Sequence, residues 1–359
     1  MRVLGVATLL SGVLATRFFL LARFFPTLIE SDEAVVGLMA RHILKGELPI
    51  FYWGQSYMGA FEAYLTAGMF ALFGASALVL KLTVLGLFLV FLVVHFKLAA
   101  EVSGSCLVAW MATISVGISP AFLTAWSLKS RGGYMSLLLF GTLSLLLATW
   151  LLKNDSNRSL KIFFLGVSIG IAFWSHFAAV TYAIPIGLIL LWRFRADLLR
   201  YAWVGGIGFF VGSLPVWVYN FFRHFASVSR PMARSTTIIE DFQNIFGTGL
   251  PILLGGRAPW NAGGGYFPFS GVLVVAVFVA AFAWVVWRQF REKDTSVWLL
   301  LLFLLMFPLF VSAGGAGHFM LEPRYLTPLY SAIYIILFMA LPRVIPKIGM
   351  LLLLVSLNL

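Results

Sequence analysis

The stretches Leu85–Val94 (LGLFLVFLVV) and Leu299–Val311 (LLLLFLLMFPLFV) decide the fold class, because neither contains a polar side chain. Similar apolar runs recur along the whole chain, and about 20 apolar residues suffice for a helix to span a bilayer. The strands of a membrane barrel alternate apolar and polar side chains, whereas these runs are unbroken. Because helices satisfy their own backbone hydrogen bonds in lipid, the sequence predicts an all-α, polytopic membrane protein.

The composition of the chain excludes most other classes of protein. Hydrophobic residues make up 61% of its 359 residues and charged residues 11%, whereas a soluble domain has about 45–50% apolar and about 25% charged residues. A soluble enzyme, a disordered chain and a fibrous repeat are therefore excluded. The net charge of +12 is explained by the positive-inside rule, so we expect no nucleic-acid partner. The single cysteine, Cys106, allows neither an intrachain disulfide nor a cysteine-based metal site.

Short basic connections orient the predicted helices. We place four of them on the cytoplasmic side, namely Lys153–Lys161, Arg193–Arg200, Arg288–Asp294 and Arg343–Lys347. The rest of the chain then forms a bundle of about 10–12 transmembrane helices. Its long outer loops lie at about 24–59 and 223–268. Almost as many Lys and Arg residues lie near the outer face as inside, which indicates an anionic ligand there.

Two apolar segments are too short for a clear span. Residues 60–74 are expected to lie at the membrane interface or to re-enter it, because they fall short of the length of a span. The last apolar run, about 348–359, is marginal, as in a naturally short or a truncated chain. No repeat or linker divides the sequence, so we expect a single membrane domain over residues 1–359.

The first outer loop begins with acidic residues at the edge of the membrane. Ser31 is a suitable N-cap, and Asp32 and Glu33 fall in the first turn of a helix, where acids complement the helix dipole. The following residues, up to Gly46, form an apolar face and a basic face, which predicts an amphipathic helix in the membrane surface. The acid pair either only caps this helix or serves a site, since acids so close to a bilayer are usually functional.

Several segments together resemble the GT-C superfamily of membrane glycosyltransferases. They are the Asp-Glu pair with the amphipathic helix, KGELPIFYWGQSYMGAFEAYLTAGMFALFGAS at 45–76, SLKSRGGY at 127–134, GIAFWSHFAAVTYAIP at 170–185, GSLPVWVYN at 212–220 and EPRYLTPLY at 322–330. The branch that they resemble most contains protein O-mannosyltransferases and bacterial aminoarabinose transferases. The resemblance extends loosely over most of the chain. Each motif is short, so the resemblance depends on the order in which the motifs occur.

The resemblance implies a transferase that takes a sugar from a polyprenyl-phosphate carrier on the outer face, with inversion at the anomeric carbon. Asp32 matches the catalytic base of the family, and Glu33 and Glu30 are alternates. Such a reaction needs a carboxylate at the reacting centre, cations on the leaving phosphate and an apolar groove for the lipid. The acceptor would be a protein, a lipid or a glycan.

Further polar residues are candidates for binding the donor phosphate or sugar. Arginine suits phosphate because its planar guanidinium binds two oxygens at once. The candidates for the donor are Arg131, Arg324, Arg257, His318 and Tyr325. Arg131 could instead reach lipid headgroups, and Glu322 could simply pair with Arg324.

Three other residues, Glu62, His176 and Tyr134, are weaker candidates for the site. Glu62 is either a second active-site acid or an interfacial residue that points to water. His176 is either a packed, hydrogen-bonded histidine or a ligand contact. No metal site is evident, although Asp32 could bind a divalent ion such as Mg or Mn.

Two other functions remain open from the sequence. A lipid or anion transporter, or flippase, would show ionisable residues or broken helices at the midplane. A polymerase or ligase of lipid-linked glycans would share the long outer loops and arginines, without needing the Asp-Glu pair. For each of these functions we expect a multi-pass protein of a bacterial or archaeal inner membrane.

Overall fold

The computed structural model describes residues 2–24, 29–118, 120–154, 156–227, 236–261, 269–314 and 320–340. The helices are α1 Arg2–Phe24, α2 Ser31–Ile43, α3 Phe61–Phe73, α4 Ala77–Ser103, α5 Cys106–Ile118, α6 Ala121–Trp126, α7 Tyr134–Lys153, α8 Arg158–Ser175, α9 Val180–Gly212, α10 Leu214–Phe222, α11 Ile238–Asn244, α12 Leu250–Leu253, α13 Ser270–Glu292, α14 Thr295–Ala313 and α15 Ile333–Ala340. Short 3-10 helices cover Phe177–Ala179 and Arg324–Ser331, and a π-helical turn covers Ile245–Gly249. The strands β1 Phe51–Tyr52 and β2 Gln55–Gly59 form one antiparallel hairpin.

The helices confirm an all-α, multi-pass membrane protein. In the described ranges, seven helices are long and apolar enough to cross a membrane, or up to eight if Arg200–Gly212 and Leu214–Phe222, bent by 73°, form one broken span. This count is smaller than the sequence suggested. The last predicted segment, 348–359, lies outside the described residues.

Two apolar segments that are long enough for a span are interrupted in the structure. Residues 105–122 consist of α5 and the short α6, with Pro120 as the N-cap of α6. Residues 324–340 begin as the 3-10 helix Arg324–Ser331 and become α-helical only in α15. Proline has no backbone N–H and disfavours a helical conformation in the residue before it, so Pro120 and Pro328 account for the breaks.

The amphipathic helix α2 confirms the expectation for the first outer loop. Its buried residues include Val36, Met39 and Ala40. The prediction of Ser31 as the N-cap is wrong, because the N-cap of α2 is Glu30. Glu30 accepts a hydrogen bond from the backbone of Glu33, and the Glu33 carboxylate accepts one from the backbone of Glu30, so the two acids form a capping box.

The β1–β2 hairpin was not expected from the sequence, and it brings the end of the first outer loop against the tip between α8 and α9. Met58 forms an isolated β-bridge with His176. A side chain at Gly59 would place its Cβ 2.0 Å from the carbonyl oxygen of Trp174, so only glycine fits there. The hairpin therefore fixes the position of His176 relative to the first loop.

Helices α8 and α9 pack closely through glycines and form the predicted hairpin around Trp174–Phe177. A Cβ at Gly166 would lie 2.2 Å from the carbonyl oxygen of Gly205, and one at Gly208 would lie 2.2 Å from that of Phe163. Helix α9 is broken at Arg195, where φ is 30°, within the basic connection predicted from the sequence. Small residues at such contacts allow membrane helices to approach closely.

Arg17 is buried inside the bundle although it belongs to the apolar helix α1. Its side chain is 2% exposed. Its Nε donates to Ser127 Oγ over 3.1 Å and its Nη2 donates to the carbonyl oxygen of Gly117 over 3.1 Å. Its guanidinium also lies over the ring of Phe88, 5.7 Å from the centroid. These contacts tie α1 to α4, α5 and the end of α6.

Helix α7 separates the two ends of the bundle. A helix of its length spans roughly 30 Å, from Tyr134 at one end to Lys153 at the other. Lys153 donates a hydrogen bond to the carbonyl oxygen of Glu101, at the end predicted to be cytoplasmic. Tyr134 lies at the opposite end, where the first outer loop also lies.

Candidate active site

Asp32 lies in the first turn of α2, beside the β1–β2 hairpin. The hydroxyl of Tyr52 donates a hydrogen bond to the backbone carbonyl oxygen of Asp32 over 3.3 Å. Burial and the nearby charge of Asp32 raise the pKa of Tyr52 to about 12. Among the described residues, no basic side chain forms an ion pair with the Asp32 carboxylate. This carboxylate is therefore not committed to holding the fold together.

Glu33, the alternate catalytic acid, is turned towards α4. It is completely buried, and both of its carboxylate oxygens accept hydrogen bonds from Lys81 Nζ, over 2.8 and 3.1 Å. Lys81 is itself only 3% exposed. Burial raises the pKa of Glu33, and the contact with Lys81 opposes this shift. This ion pair anchors the amphipathic helix to the bundle.

Arg131 joins three separate outer segments. Its guanidinium forms ion pairs with Glu30 of the first loop and with Glu322, just before the 3-10 helix Arg324–Ser331. The neighbouring Lys129 also pairs with Glu30. The Glu322 carboxylate therefore pairs with Arg131, whereas the sequence suggested a pair with Arg324.

Aromatic rings surround these cations. The guanidinium of Arg131 lies 5.2 Å from the ring centroid of Trp126, and Lys129 Nζ lies 5.4 Å from that of Trp260. Burial lowers the pKa of Lys129, and the charges of Glu33 and Glu322 oppose this shift. Trp260 belongs to the second outer loop, so this loop contacts the site.

His176 lies at the centre of a group of tyrosines. Its ring lies 5.0 Å from that of Tyr134, 5.6 Å from that of Tyr57 and 6.2 Å from that of Tyr325, between centroids. Arg324 lies over the ring of Tyr325 at 5.4 Å. We call Tyr57, Tyr134 and Tyr325 around His176 the tyrosine cluster. Burial first, then Tyr325, raise the pKa of Tyr57, and the charge of Asp32 adds to this shift. The tyrosine cluster therefore lies next to Asp32.

The imidazole of His176 is neutral. Burial first, and then the charge of Arg324, lower its pKa to about 3. Its Nδ1 accepts a hydrogen bond from the backbone N–H of Ala178 over 3.0 Å, so the proton is on Nε2. Within the described part of the chain, Nε2 has no hydrogen-bond partner. His176 is thus packed and hydrogen-bonded, and it also retains one N–H group inside the tyrosine cluster.

Other predicted site residues lie elsewhere. Arg257 lies in the second outer loop, where its Nη1 donates to Thr248 Oγ1 over 3.3 Å. His318 lies outside the described residues. Glu62 is only 1% exposed, so the prediction that it points to water is wrong. Hydrogen bonds from Ser130 and Ser136 hold this carboxylate and so join α3 to the segment that leads into α7.

The glycines of the 127–134 motif serve close packing within the protein. Gly132 and Gly133 have φ of 68° and 89°. A Cβ at Gly133 would lie 2.2 Å from the carbonyl oxygen of Ser175, and one at Gly132 would lie 2.9 Å from the side chain of Met58. Protein atoms therefore already fill the space beside both glycines.

Comparison of the fold with solved structures finds membrane transferases. ArnT from Cupriavidus metallidurans superposes with a TM-score of 0.67 in the apo state and 0.65 when bound to undecaprenyl phosphate, at 14% and 13% sequence identity. The aligned region covers 97% of this chain in both, and 62% and 63% of ArnT. The chain has the GT-C fold. It spans less than two thirds of the length of ArnT.

A second GT-C structure with the same architecture is an archaeal enzyme. The oligosaccharyltransferase of Archaeoglobus fulgidus in complex with Zn and sulfate superposes with a TM-score of 0.55 at 14% identity, over 91% of this chain and 49% of the other. No protein-family model matches the sequence, and no curated protein matches it. The fold therefore rests on the similarity of structure.

Metal ligands do not converge at the site in the parts of the GT-C chain that the structure describes. No group of three or more His, Cys, Asp or Glu side chains lies together in those ranges. The carboxylates of Glu30 and Glu322 are bound by Arg131 and Lys129. Asp32 alone supplies at most two of the about six oxygen ligands that a magnesium ion takes.

Sequence reasoning did not single out Tyr57, Tyr52 and Trp260. Tyr57 stands inside the GQSYMG stretch that carried the family resemblance, so its motif was available although its role was not. Trp260 lies between glycines in the second outer loop, where no periodicity indicates its partner. Their proximity to Asp32 and Lys129 depends on contacts between distant segments.

Proposed function

We propose that this protein is a membrane glycosyltransferase that moves a sugar from a polyprenyl-phosphate carrier to an acceptor on the outer face of the membrane, with Asp32 as the base. The observation that supports this proposal is which of the acids near the start of α2 form ion pairs. Glu30, Glu33 and Glu322 each pair with a cation, whereas the described residues offer no such partner to Asp32. A general base must be free to accept a proton, and of these four acids Asp32 is the one that meets this condition.

The cations near Asp32 suit a leaving phosphate. Arg131 and Lys129 lie close to the start of α2, and Arg324 lies over Tyr325 in the adjacent tyrosine cluster. Negative charge builds up on the phosphate as the bond to the sugar breaks, so preorganised cations stabilise the transition state more than the ground state. A donor phosphate would compete with Glu30 and Glu322 for Arg131.

An apolar cavity of about 500 Å³ opens on the surface of the helical bundle and suits a polyprenyl chain. Its lining includes Phe246, Phe278, Leu309 and Leu329, contributed by the π-helical turn, α13, α14 and the 3-10 helix Arg324–Ser331. Because Leu329 and Arg324 belong to the same 3-10 helix, a lipid tail in this cavity would place its phosphate near the outer cations. ArnT, whose fold is similar, has been solved bound to undecaprenyl phosphate, and this supports the proposal of a lipid carrier.

The reaction follows from this arrangement. Asp32 takes the proton from a nucleophilic group of the acceptor, and that group attacks the anomeric carbon of the sugar. The bond from the anomeric carbon to the phosphate oxygen breaks, and polyprenyl phosphate leaves with the electron pair. Because attack and departure occur on opposite faces, the configuration inverts. The neutral His176 can donate its Nε2–H to an oxygen of the donor.

The proposal extends to the cellular setting. The outer face would be the periplasmic or extracytoplasmic side of a bacterial or archaeal inner membrane. The sugar would be a hexose or a pentose, and the acceptor a protein, a lipid or a glycan. If the reaction uses a divalent ion such as Mg or Mn, Asp32 would be one of its ligands.

A reconstituted transfer assay tests this function. The full chain in liposomes is supplied with a panel of polyprenyl-phosphate sugars labelled in the sugar, together with membrane extracts as acceptors. We expect the label to move to an acceptor and free polyprenyl phosphate to appear in equal amount. Movement of the intact labelled lipid between leaflets, without cleavage, would instead indicate a transporter.

A further inference from the structure

Among the described residues, the hydrogen bonds to the buried carboxylate of Glu62 come from a single segment, Ser130–Ser136. Its Oε1 accepts from the backbone N–H of Ser136 over 3.2 Å and from the Ser136 hydroxyl over 3.0 Å. Its Oε2 accepts from the hydroxyl of Ser130 over 3.3 Å. The backbone N–H of Gly133 also faces this carboxylate. A carboxylate has about four acceptor positions, so these donors saturate it.

The partners of Glu62 lie at the start of α7, which lacks a cap of its own. The N-cap position is Gly133, which has no side chain to accept the first N–H groups of the helix. Those groups need a partner when they are buried, and a negative charge at this end also complements the helix dipole. Glu62 therefore caps α7 from outside, although it belongs to α3.

The segment between the two contact points carries Arg131. Ser130 precedes Arg131, and Gly132 and Gly133 follow it with positive φ. Glycine gives the backbone many conformations in the absence of restraint. Fixing Ser130 on one side and Ser136 on the other restricts this segment to a single conformation and directs Arg131 towards Glu30 and Glu322.

A catalytic role for Glu62 itself does not fit its surroundings. The side chain is 1% exposed, and every oxygen already accepts hydrogen bonds from the protein. A general acid or base must reach the reacting group directly or through one water molecule. Its neighbour Thr66 bonds only to the backbone of Glu62, within α3.

We propose that Glu62 is a positioning residue that acts through Arg131, by holding Ser130–Ser136 so that the guanidinium is presented to the donor phosphate. This inference rests on the proposed function for the role of Arg131. The two carboxyl oxygens of Glu62, which accept these hydrogen bonds, are the part of the side chain that matters.

The activity test compares Glu62→Gln with Glu62→Asp. Glutamine places an NH2 group, itself a donor, against the hydroxyl and N–H donors of Ser130 and Ser136. The hydrogen bonds that restrain Ser130–Ser136 are therefore lost. We expect the donor KM to rise about 10-fold or more, the scale of losing hydrogen bonds to a charged group, while kcat falls less. Aspartate keeps the charge and should give an intermediate KM. Thr142→Val is the matched control, since Thr142 is also buried on α7 but bonds to Ser331.

A second measurement does not depend on activity. Trypsin cleaves after Lys129 and Arg131 only when this segment leaves its folded conformation. In proteoliposomes, Glu62→Gln should be cut at these positions at least about 10-fold faster than wild type, which mass spectrometry of the fragments detects. Ser136→Ala should show the same change to a smaller degree if Glu62→Gln fails to fold. Cleavage at the wild-type rate in both variants would overturn the inference.

A double-mutant cycle separates the two proposals. If Glu62 acts through Arg131, Glu62→Gln adds nothing to the donor KM of Arg131→Ala. If the double variant instead raises the donor KM by the product of the two single effects, Glu62 does not act through Arg131. The proposed function would still stand in that case. If Glu62→Gln exposes the trypsin sites but Arg131→Ala leaves donor use unchanged, the anchoring of the segment stands and the role of Arg131 in the proposed function fails.

Discussion

Asp32→Asn is the most direct test of the catalytic base. The change keeps the size of the side chain and removes its charge and its ability to accept a proton. General-base catalysis contributes about 10²–10⁴-fold, which corresponds to about 2.7–5.5 kcal/mol of activation free energy. We therefore expect turnover to fall by about that factor at saturating donor.

The structure separates this loss from any loss of stability. Glu30 provides the N-cap of α2, and Asp32 has no ion pair among the described residues, so Asp32→Asn removes only a helix-dipole interaction of about 0.3–1 kcal/mol. The apparent melting temperature should stay close to that of wild type. Purified variants in liposomes are compared by single-turnover transfer of label from a polyprenyl-phosphate sugar and by thermal unfolding.

Glu33→Gln is the matched control, because it removes the neighbouring acid. It leaves the buried Lys81 without its partner, and breaking a buried ion pair costs about 3–5 kcal/mol. We expect lower stability, and a turnover per folded molecule that falls less than in Asp32→Asn. Adding Lys81→Met removes the unpaired charge and should restore part of the stability.

Two results would refute the assignment of Asp32. Turnover of Asp32→Asn within about threefold of wild type would mean that this acid only stabilises the start of α2, since even the weakest general-base contribution is larger. A stable Glu33→Gln/Lys81→Met protein without turnover would mean that the catalytic carboxylate is Glu33.

Three further predictions follow from the site and the fold. Arg324→Ala should raise the donor KM more than Arg324→Lys, because lysine keeps the charge and loses only the bidentate contact; unchanged kinetics in the alanine variant would remove Arg324 from the site. In a Cys106→Ala background, cysteines at positions 131 and 257 should react with an impermeant reagent from the side opposite to a cysteine at 291. Labelling of 131 and 257 from different sides would disprove the membrane topology predicted from the basic connections. Leu309→Trp, which fills the apolar cavity, should weaken use of long polyprenyl donors more than of short-chain analogues, and an equal effect on both would place the lipid elsewhere.

Local patterns in the sequence predicted a large part of the fold and the start of the site. The apolar runs give the helices, and the acids before an amphipathic segment give α2 with Asp32 in its first turn. The positions of the short basic connections also place His176 between two helices and Arg131 just before α7. Each of these features depends on residues close together in the chain.

Contacts between distant segments could not be predicted in the same way. Lys81 pairs with Glu33 across 48 residues, and Arg131 pairs with Glu322 across 191 residues. No periodicity specifies such partners, so the partners of Glu33, Glu62 and Glu322 became clear only in the structure. The breaks next to Pro120 and Pro328 show a second limit, because hydropathy measures the length of an apolar run without regard to its backbone hydrogen bonds.

The burial of Arg17 has a consequence for the biogenesis of the protein. Its two hydrogen-bond acceptors follow it by 100 and 110 residues, so α1 leaves the ribosome long before they are made. A charged residue inside a membrane helix costs about 2.5–3.5 kcal/mol on insertion scales. We therefore expect α1 to be held weakly in the membrane until α5 and α6 lie beside it. Stable insertion of α1 would then depend on synthesis of the segment that leads into Arg131.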